Sequence, residues 1–138
     1  MPPMRIKQSG ITLLELMVVI AIVAIIASVA YPSFTDGLRK SRRAEAFKGL
    51  LSMQLKQEEY RISNSEYVNK SGFETTPSLL GNPSSDYYTF GVASGATATT
   101  YTLIATTKGA QVGDKAGSTA CDTLTLNKAD TKTPADCW

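Results

Sequence analysis

Three sets of residues in this chain have types and spacings that suggest chemistry. Gly10 stands just before a run of 21 residues, Ile11–Tyr31, in which Glu15 is the one charged side chain. Hydrolysis after Gly10 frees a primary amine on Ile11, within a helical turn or so of that carboxylate. Cys121 and Cys137 lie near the end of the chain, and such a pair in an exported domain reads as one disulfide, with two free thiols as the alternative. Histidine is absent, which excludes Ser-His-Asp and Cys-His catalysis and every metal site that uses imidazole. Two cysteines are too few for a four-thiolate zinc site. Asp114, Asp122, Asp130 and Asp136 are scattered, without the compact spacing of a calcium loop. There is no phosphate-binding glycine loop, nucleophile elbow or clustered carboxylate pair. The chemistry on offer is processing of the chain itself, neutralisation of charge in an apolar medium, and cross-linking. No catalytic residue, metal ligand or cofactor is expected, and an enzyme is the least favoured class.

These residues need elements to position them. A helix over Ile11–Tyr31 rises about 30 Å, the thickness of a bilayer core, so a transmembrane helix is predicted. An ordinary secretory signal is cut after its apolar stretch. Gly10 precedes the stretch, and a cut there keeps the helix in the mature protein. Glu15 then lies in hydrocarbon, where a carboxylate costs several kcal/mol unless it is paired or protonated. The first basic residue beyond it is Arg39. Its partner must therefore be its own chain's amine or another chain, the alternative being an incidental, protonated glutamate. Pro32 removes a backbone hydrogen bond and kinks the helix there, unless the helix ends at Ala30 or Tyr31. Gly37 weakens the same region.

The organisation that follows is a leader over 1–10, a membrane or filament-core half of the helix over 11–37, and a globular head over 38–138. Residues 38–62 continue as helix. Ala44, Phe47, Leu50, Leu51 and Leu55 recur at mostly helical steps and mark the face expected to pack on a sheet. Arg42, Glu45 and Lys48 are spaced to pair weakly along the surface. Arg39, Lys40, Arg42 and Arg43 read as a solvated helix face, although naive charge counting would place them in the cytoplasm. Ser63-Asn64-Ser65 ends the helix, and residues 63–85 read as a loop punctuated by Gly72, Pro77, Gly81 and Pro83. Strands are predicted over Asp86–Ala93, Thr100–Thr107 and Asp122–Asn127, with a hairpin loop at Ser94-Gly95 and Leu124 and Leu126 facing the helix. A short fourth strand near Lys132–Ala135 would be confined to an edge by Pro134. Trp138 is expected to pack against the sheet, an exposed contact for a neighbouring subunit being the sharper alternative.

Lys7-Gln8-Ser9-Gly10 followed by Ile11-Thr12-Leu13-Leu14-Glu15-Leu16, with Pro32 in register, resembles the class III signal of type IV pilins. The resemblance implies an α+β pilin fold: a long N-terminal helix whose second half packs on a three- to four-stranded antiparallel sheet. It implies that a prepilin peptidase cuts after Gly10 and methylates Ile11. It implies that Glu15 recruits the positive N-terminus of a neighbouring subunit during assembly, and that Pro32 kinks the helix. The segment bounded by Cys121 and Cys137 corresponds to the family's disulfide-closed loop. Two positions depart from the pattern: Ile11 stands where the family usually has phenylalanine, and Ala24 where a helix-weakening residue is common. The ending resembles PilE-type minor pilins.

The implied protein is therefore a structural subunit, a minor pilin that supports assembly, twitching motility, adhesion or DNA uptake. Its partners would be other pilins, the peptidase and, before assembly, the inner membrane with the head in the periplasm. Two other functions compete. One is a pseudopilin of type II secretion. The other is a competence pilin that grips DNA through Lys108, Lys115, Lys128 and Lys132, whose plainer reading is solvated loop charge. Removing Arg5 and Lys7 with the leader cancels the net charge of +2, and a neutral chain leaves nucleic acid a weakly supported partner.

Overall fold

The computed structural model describes residues 10–138. The rest of the leader, with Arg5 and Lys7, lies outside the described residues. These residues divide into two compact units between Thr35 and Asp36. Helix α1, Leu13–Ser63, enters both.

In the first unit α1 carries the apolar run. It is the one helix among the described residues long and apolar enough to cross a membrane. Its side chains find no cover within the chain: Leu13 is 78% exposed and Val29 74%. Exposed apolar surface on this scale must be covered by lipid or by other chains. α1 does not end at Ala30 or Tyr31 but runs on through Pro32. Hydroxyls engage carbonyls on either side of the proline, Ser28 Oγ donating to Ile25 O at 2.7 Å and Thr35 Oγ1 to Pro32 O at 2.8 Å.

The second unit is an α+β layer. Strands β1 (Tyr88–Val92), β2 (Thr102–Thr107), β5 (Thr123–Asn127) and β6 (Lys132–Thr133) form one antiparallel sheet in the order β1-β2-β5-β6. Strands β3 (Lys115–Ala116) and β4 (Thr119–Ala120) form a separate two-stranded ribbon. β6 stops directly before Pro134, which has no N–H to extend the ladder. Period-two alternation turns Val92, Leu103 and Leu126 inward on one cross-strand row and Phe90, Ala105 and Leu124 on the next. Threonines such as Thr89, Thr106 and Thr123 face outward. The inward rows meet Ala46, Leu50 and Met53 of α1 in one core.

Three expectations need correction. The buried face of α1 is Arg43, Ala46, Leu50, Met53 and Gln57, whereas Ala44 is exposed, Leu51 is 42% exposed and Leu55 73%. The face is rotated because two polar residues, Arg43 and Gln57, are buried with their hydrogen bonds satisfied. Gln57 Oε1 accepts from Val68 N at 2.8 Å and its Nε2 donates to Val68 O at 2.9 Å, so one side chain completes both backbone groups. Residues 63–85 are not a plain loop. Helix α2, Lys70–Thr75, is capped by Asn69, whose side chain accepts from Gly72 N, and it buries Phe73. A 3-10 turn follows over Pro77–Leu80, with proline at its start and Gly81 left-handed at its end. Finally, Arg42 and Glu45 do not pair. Arg42 lies 4.2 Å over the Tyr87 ring and Glu45 accepts from Ser85 Oγ at 2.6 Å.

Gly49 on α1 is required by this packing. A Cβ built there would lie 2.3 Å from two atoms of the Phe90 ring. Glycine-to-alanine inside a helix ordinarily stabilises by about 0.5–1 kcal/mol. Gly49→Ala is expected to destabilise instead, by about 1–3 kcal/mol, because the ring must leave the core row. Chemical unfolding of the detergent-solubilised chain measures this, and a more stable variant would refute the packing.

Candidate functional site

Among the described residues no atom lies where a Cβ on Gly10 would project, and Ile11 is 77% exposed. Thr12 precedes the first helical residue, and its Oγ1 accepts from Glu15 N at 3.2 Å. Thr12-Leu13-Leu14-Glu15 thus has the spacing of a capping box, with the glutamate at the third helical position. There its negative charge also suits the positive end of the helix dipole. Among the described residues no cation pairs with Glu15. Thr12 is not among the expected site residues, although the Thr-x-x-Glu spacing is legible in the sequence.

In the head, the basic cluster is not a uniformly solvated face. Arg43 is buried and binds Asp114 through a two-pronged ion pair, Nε–Oδ2 at 2.6 Å and Nη2–Oδ1 at 2.9 Å. Its Nη2 also donates to Lys115 O at 2.7 Å. The hydrogen bond to Asp114 raises the Arg43 pKa, against an opposing desolvation. Buried Gln111 joins the cluster, its Nε2 lying 3.0 Å from Arg39 O, 3.0 Å from Asp114 Oδ2 and 3.1 Å from Tyr88 Oη. Arg39 Nη1 donates to Gly113 O at 2.7 Å. The whole 109–115 loop is thereby pinned to α1 by residues more than seventy positions away. Burial pushes the Tyr88 phenol up to about 12, the Gln111 amide opposing the shift. Asp122 accepts from Gly113 N at 2.7 Å and Thr107 Oγ1 at 3.2 Å.

Cys121 and Cys137 are joined in a disulfide, closing a segment with a sequence separation of 16. Loop closure of that length stabilises a fold by about 3 kcal/mol in the chain-entropy account. The bond carries Trp138 to α1, where it stacks on Phe47 at 4.6 Å between centroids rather than on the sheet. The four lysines considered for DNA have different surroundings. Lys128 lies 3.6 Å from Glu58 and 5.4 Å over the Tyr67 ring. Lys132 lies 3.9 Å from Asp130 and 5.4 Å over the Trp138 ring. Lys108 and Lys115 belong instead to the loop held by Arg39 and Arg43. Glu58 also accepts from the hydroxyls of Tyr67 and Tyr101, tying α1 to β2.

An uncovered apolar helical segment, and a head of helix, antiparallel sheet and disulfide-closed ending, define a subunit of the pilin class. The chain belongs to the family described as type IV minor pilin ComP, DNA uptake sequence receptor, whose sequence model matches residues 32–125. A second model, the prokaryotic N-terminal methylation motif, matches residues 5–31. No curated protein and no solved structure matches the chain significantly. The protein is anchored in the membrane before it enters an extracellular pilus. The family is one of type IV pili, and the pseudopilin alternative draws no support from it.

Two outcomes test the head's electrostatics. Asp114→Ala leaves the Arg43 guanidinium buried and unpaired, and is expected to destabilise the chain by about 3–5 kcal/mol. The double variant Arg43→Met, Asp114→Leu should recover most of that loss in the same unfolding assay, and equal losses would deny the pair its role. The folded phenol of Tyr88 titrates near 12, above the usual value of about 10 for an unfolded chain. Its contribution is therefore complete below pH about 10 and lost as pH rises toward 12. Tyr101 is shifted upward too, by burial first and by Glu58. Tyr88→Phe should flatten part of the alkaline fall in melting temperature, and an unchanged slope would contradict the assignment.

Proposed function

We propose that this minor pilin serves DNA uptake, its head contacting DNA from within the filament. The observation that carries the proposal is the match of residues 32–125 to a family described as a DNA uptake sequence receptor. Lys128 and Lys132 are the contacts we assign. Each is an exposed ammonium over an aromatic ring, held by one carboxylate at 3.6 Å or more. Exposed pairs of that kind are worth little, so a phosphate can displace the carboxylate. In this reading the peptidase cuts after Gly10 and methylates Ile11. Glu15 receives the Ile11 amine of a neighbouring subunit, and Pro32 bends α1 so that helices pack in the filament core.

Filaments sheared from cells test the proposal. Intact mass should show a chain starting at Ile11, about 14 Da heavier for one methyl group and about 2 Da lighter for one disulfide. The same filaments should bind labelled duplex DNA, less tightly at about 200 mM salt than at about 50 mM. Lys128→Gln with Lys132→Gln should weaken binding while leaving filament number unchanged. Filaments that bind DNA equally well with both lysines replaced would overturn the assignment. A chain retaining its leader and missing from filaments would overturn the assembly route.

A further inference from the structure

Among the described residues of the second unit, Val112 is the one large apolar side chain outside α1 that is exposed, at 58%. Its setting is built rather than incidental. Gln111 Nε2 donates to Arg39 O at 3.0 Å, Arg39 Nη1 to Gly113 O at 2.7 Å, and Arg43 Nη2 to Lys115 O at 2.7 Å. An apolar tip is thus held rigidly beside Arg39, between exposed Lys108 and Lys115. Lys40 and Lys115 line one groove. Asp114 is taken up by Arg43, which leaves Asp36 and Asp136 as the carboxylates in that groove. Among the described residues Arg39, Lys40, Lys108 and Lys115 make no ion pair.

Chain length limits where this patch can be while the protein is still in the membrane. Arg39 follows the apolar run by about two helical turns. Bilayer headgroups occupy a layer of about 5–8 Å beyond the hydrocarbon. A basic cluster that close to a membrane span, with an apolar side chain at its tip, has the composition of an interfacial contact with anionic lipid. We infer that, before assembly, the 108–115 loop docks on anionic phospholipid headgroups. Val112 enters the interface, and Arg39, Lys40, Lys108 and Lys115 take the lipid phosphates. The contact parks the head on the membrane surface, and entry into the filament breaks it. It also gives the cationic residues on the exported side of the span a use that topology counting does not. This inference rests on membrane anchoring and is independent of the DNA proposal, which uses Lys128 and Lys132.

The test is hydrogen exchange on the full chain in nanodiscs of phosphatidylcholine, alone or with about 30% phosphatidylglycerol. Amides of residues 109–117 are expected to exchange at least about threefold more slowly in the anionic discs, and to lose that protection at about 0.5 M salt. Lys108→Gln with Lys115→Gln should abolish the difference, and Val112→Ser should reduce it, with exchange over Ala46–Gln57 as the folding control. The salt comparison needs no variant and stands if a variant misfolds. Equal exchange in both lipids, or protection that survives high salt, overturns the inference. So does protection of this segment by duplex DNA in neutral discs without any effect of anionic lipid, since the patch would then be a nucleic-acid contact.

Discussion

An apolar helix segment that buries nothing of itself is the constraint from which the rest follows. The side chains of Ile11–Tyr31 stay uncovered within the chain, and the hydrophobic effect requires that something else cover them. A bilayer meets the requirement first and neighbouring subunits meet it afterwards. The same helix can serve in both because lipid and packed helices are alike in polarity. In the proposed assembly, Glu15 gives the exchange its direction. It sits in the first turn of α1, where a carboxylate is tolerable at a helix N-terminus but unsatisfied in hydrocarbon until a cation arrives. In the proposed route, cleavage after Gly10 supplies that cation on each chain.

The head must be self-sufficient where the first unit is not, and its organisation rests on placing charge inside. Arg43 and Asp114 bring α1 to the 109–115 loop, and Gln111 shares its amide among Arg39, Tyr88 and Asp114. Replacing such a pair by apolar residues often costs little stability. What it supplies is position: hydrogen bonds to Arg39 O, Gly113 O and Lys115 O fix the loop's backbone, which apolar packing would not do. The consequence appears at the surface, where the loop holds Val112 and its lysines in one orientation. Gln57 does the same at the other end of the packed helix, by completing both backbone groups of Val68.

Legibility in the sequence followed the range of the interactions. The N-terminal methylation motif was readable because its signal is local: a small residue, an apolar run and one carboxylate at set distances. The three main strands were readable for the same reason, since period-two alternation and Gly95 report on neighbours along the chain. The buried face of α1 is not legible from apolarity, because apolarity along a helix does not by itself mark burial. Arg43 and Gln57 are inside because partners remote in sequence, Asp114 and Val68, satisfy them. Ala44 and Leu55 are outside, uncovered among the described residues. The two short helical elements within 63–85 were hidden by their own caps. Asn69, Pro77 and Gly81 are loop-forming residues in isolation and helix-bounding ones in place.

Net charge alone does not decide whether the head meets DNA. Losing Arg5 and Lys7 brings the processed chain to neutrality, yet the family to which it belongs is described as a DNA receptor. Binding to a polyanion depends on the field within a Debye length of the contact, about 8–10 Å, and not on the sum over the molecule. In this head several carboxylates are engaged: Asp114 with Arg43, Asp122 with Gly113 and Thr107, Glu58 with two tyrosines and Lys128. Where a carboxylate is buried against arginine, as at Asp114, its charge is cancelled locally and the lysines around it keep theirs. Where it is exposed beside a lysine, as at Glu58 and Asp130, it can yield to a phosphate. On the two proposals above, a neutral chain carries two anion-facing surfaces, one for headgroups and one for DNA. The arrangement of the acids, not the number of bases, separates them.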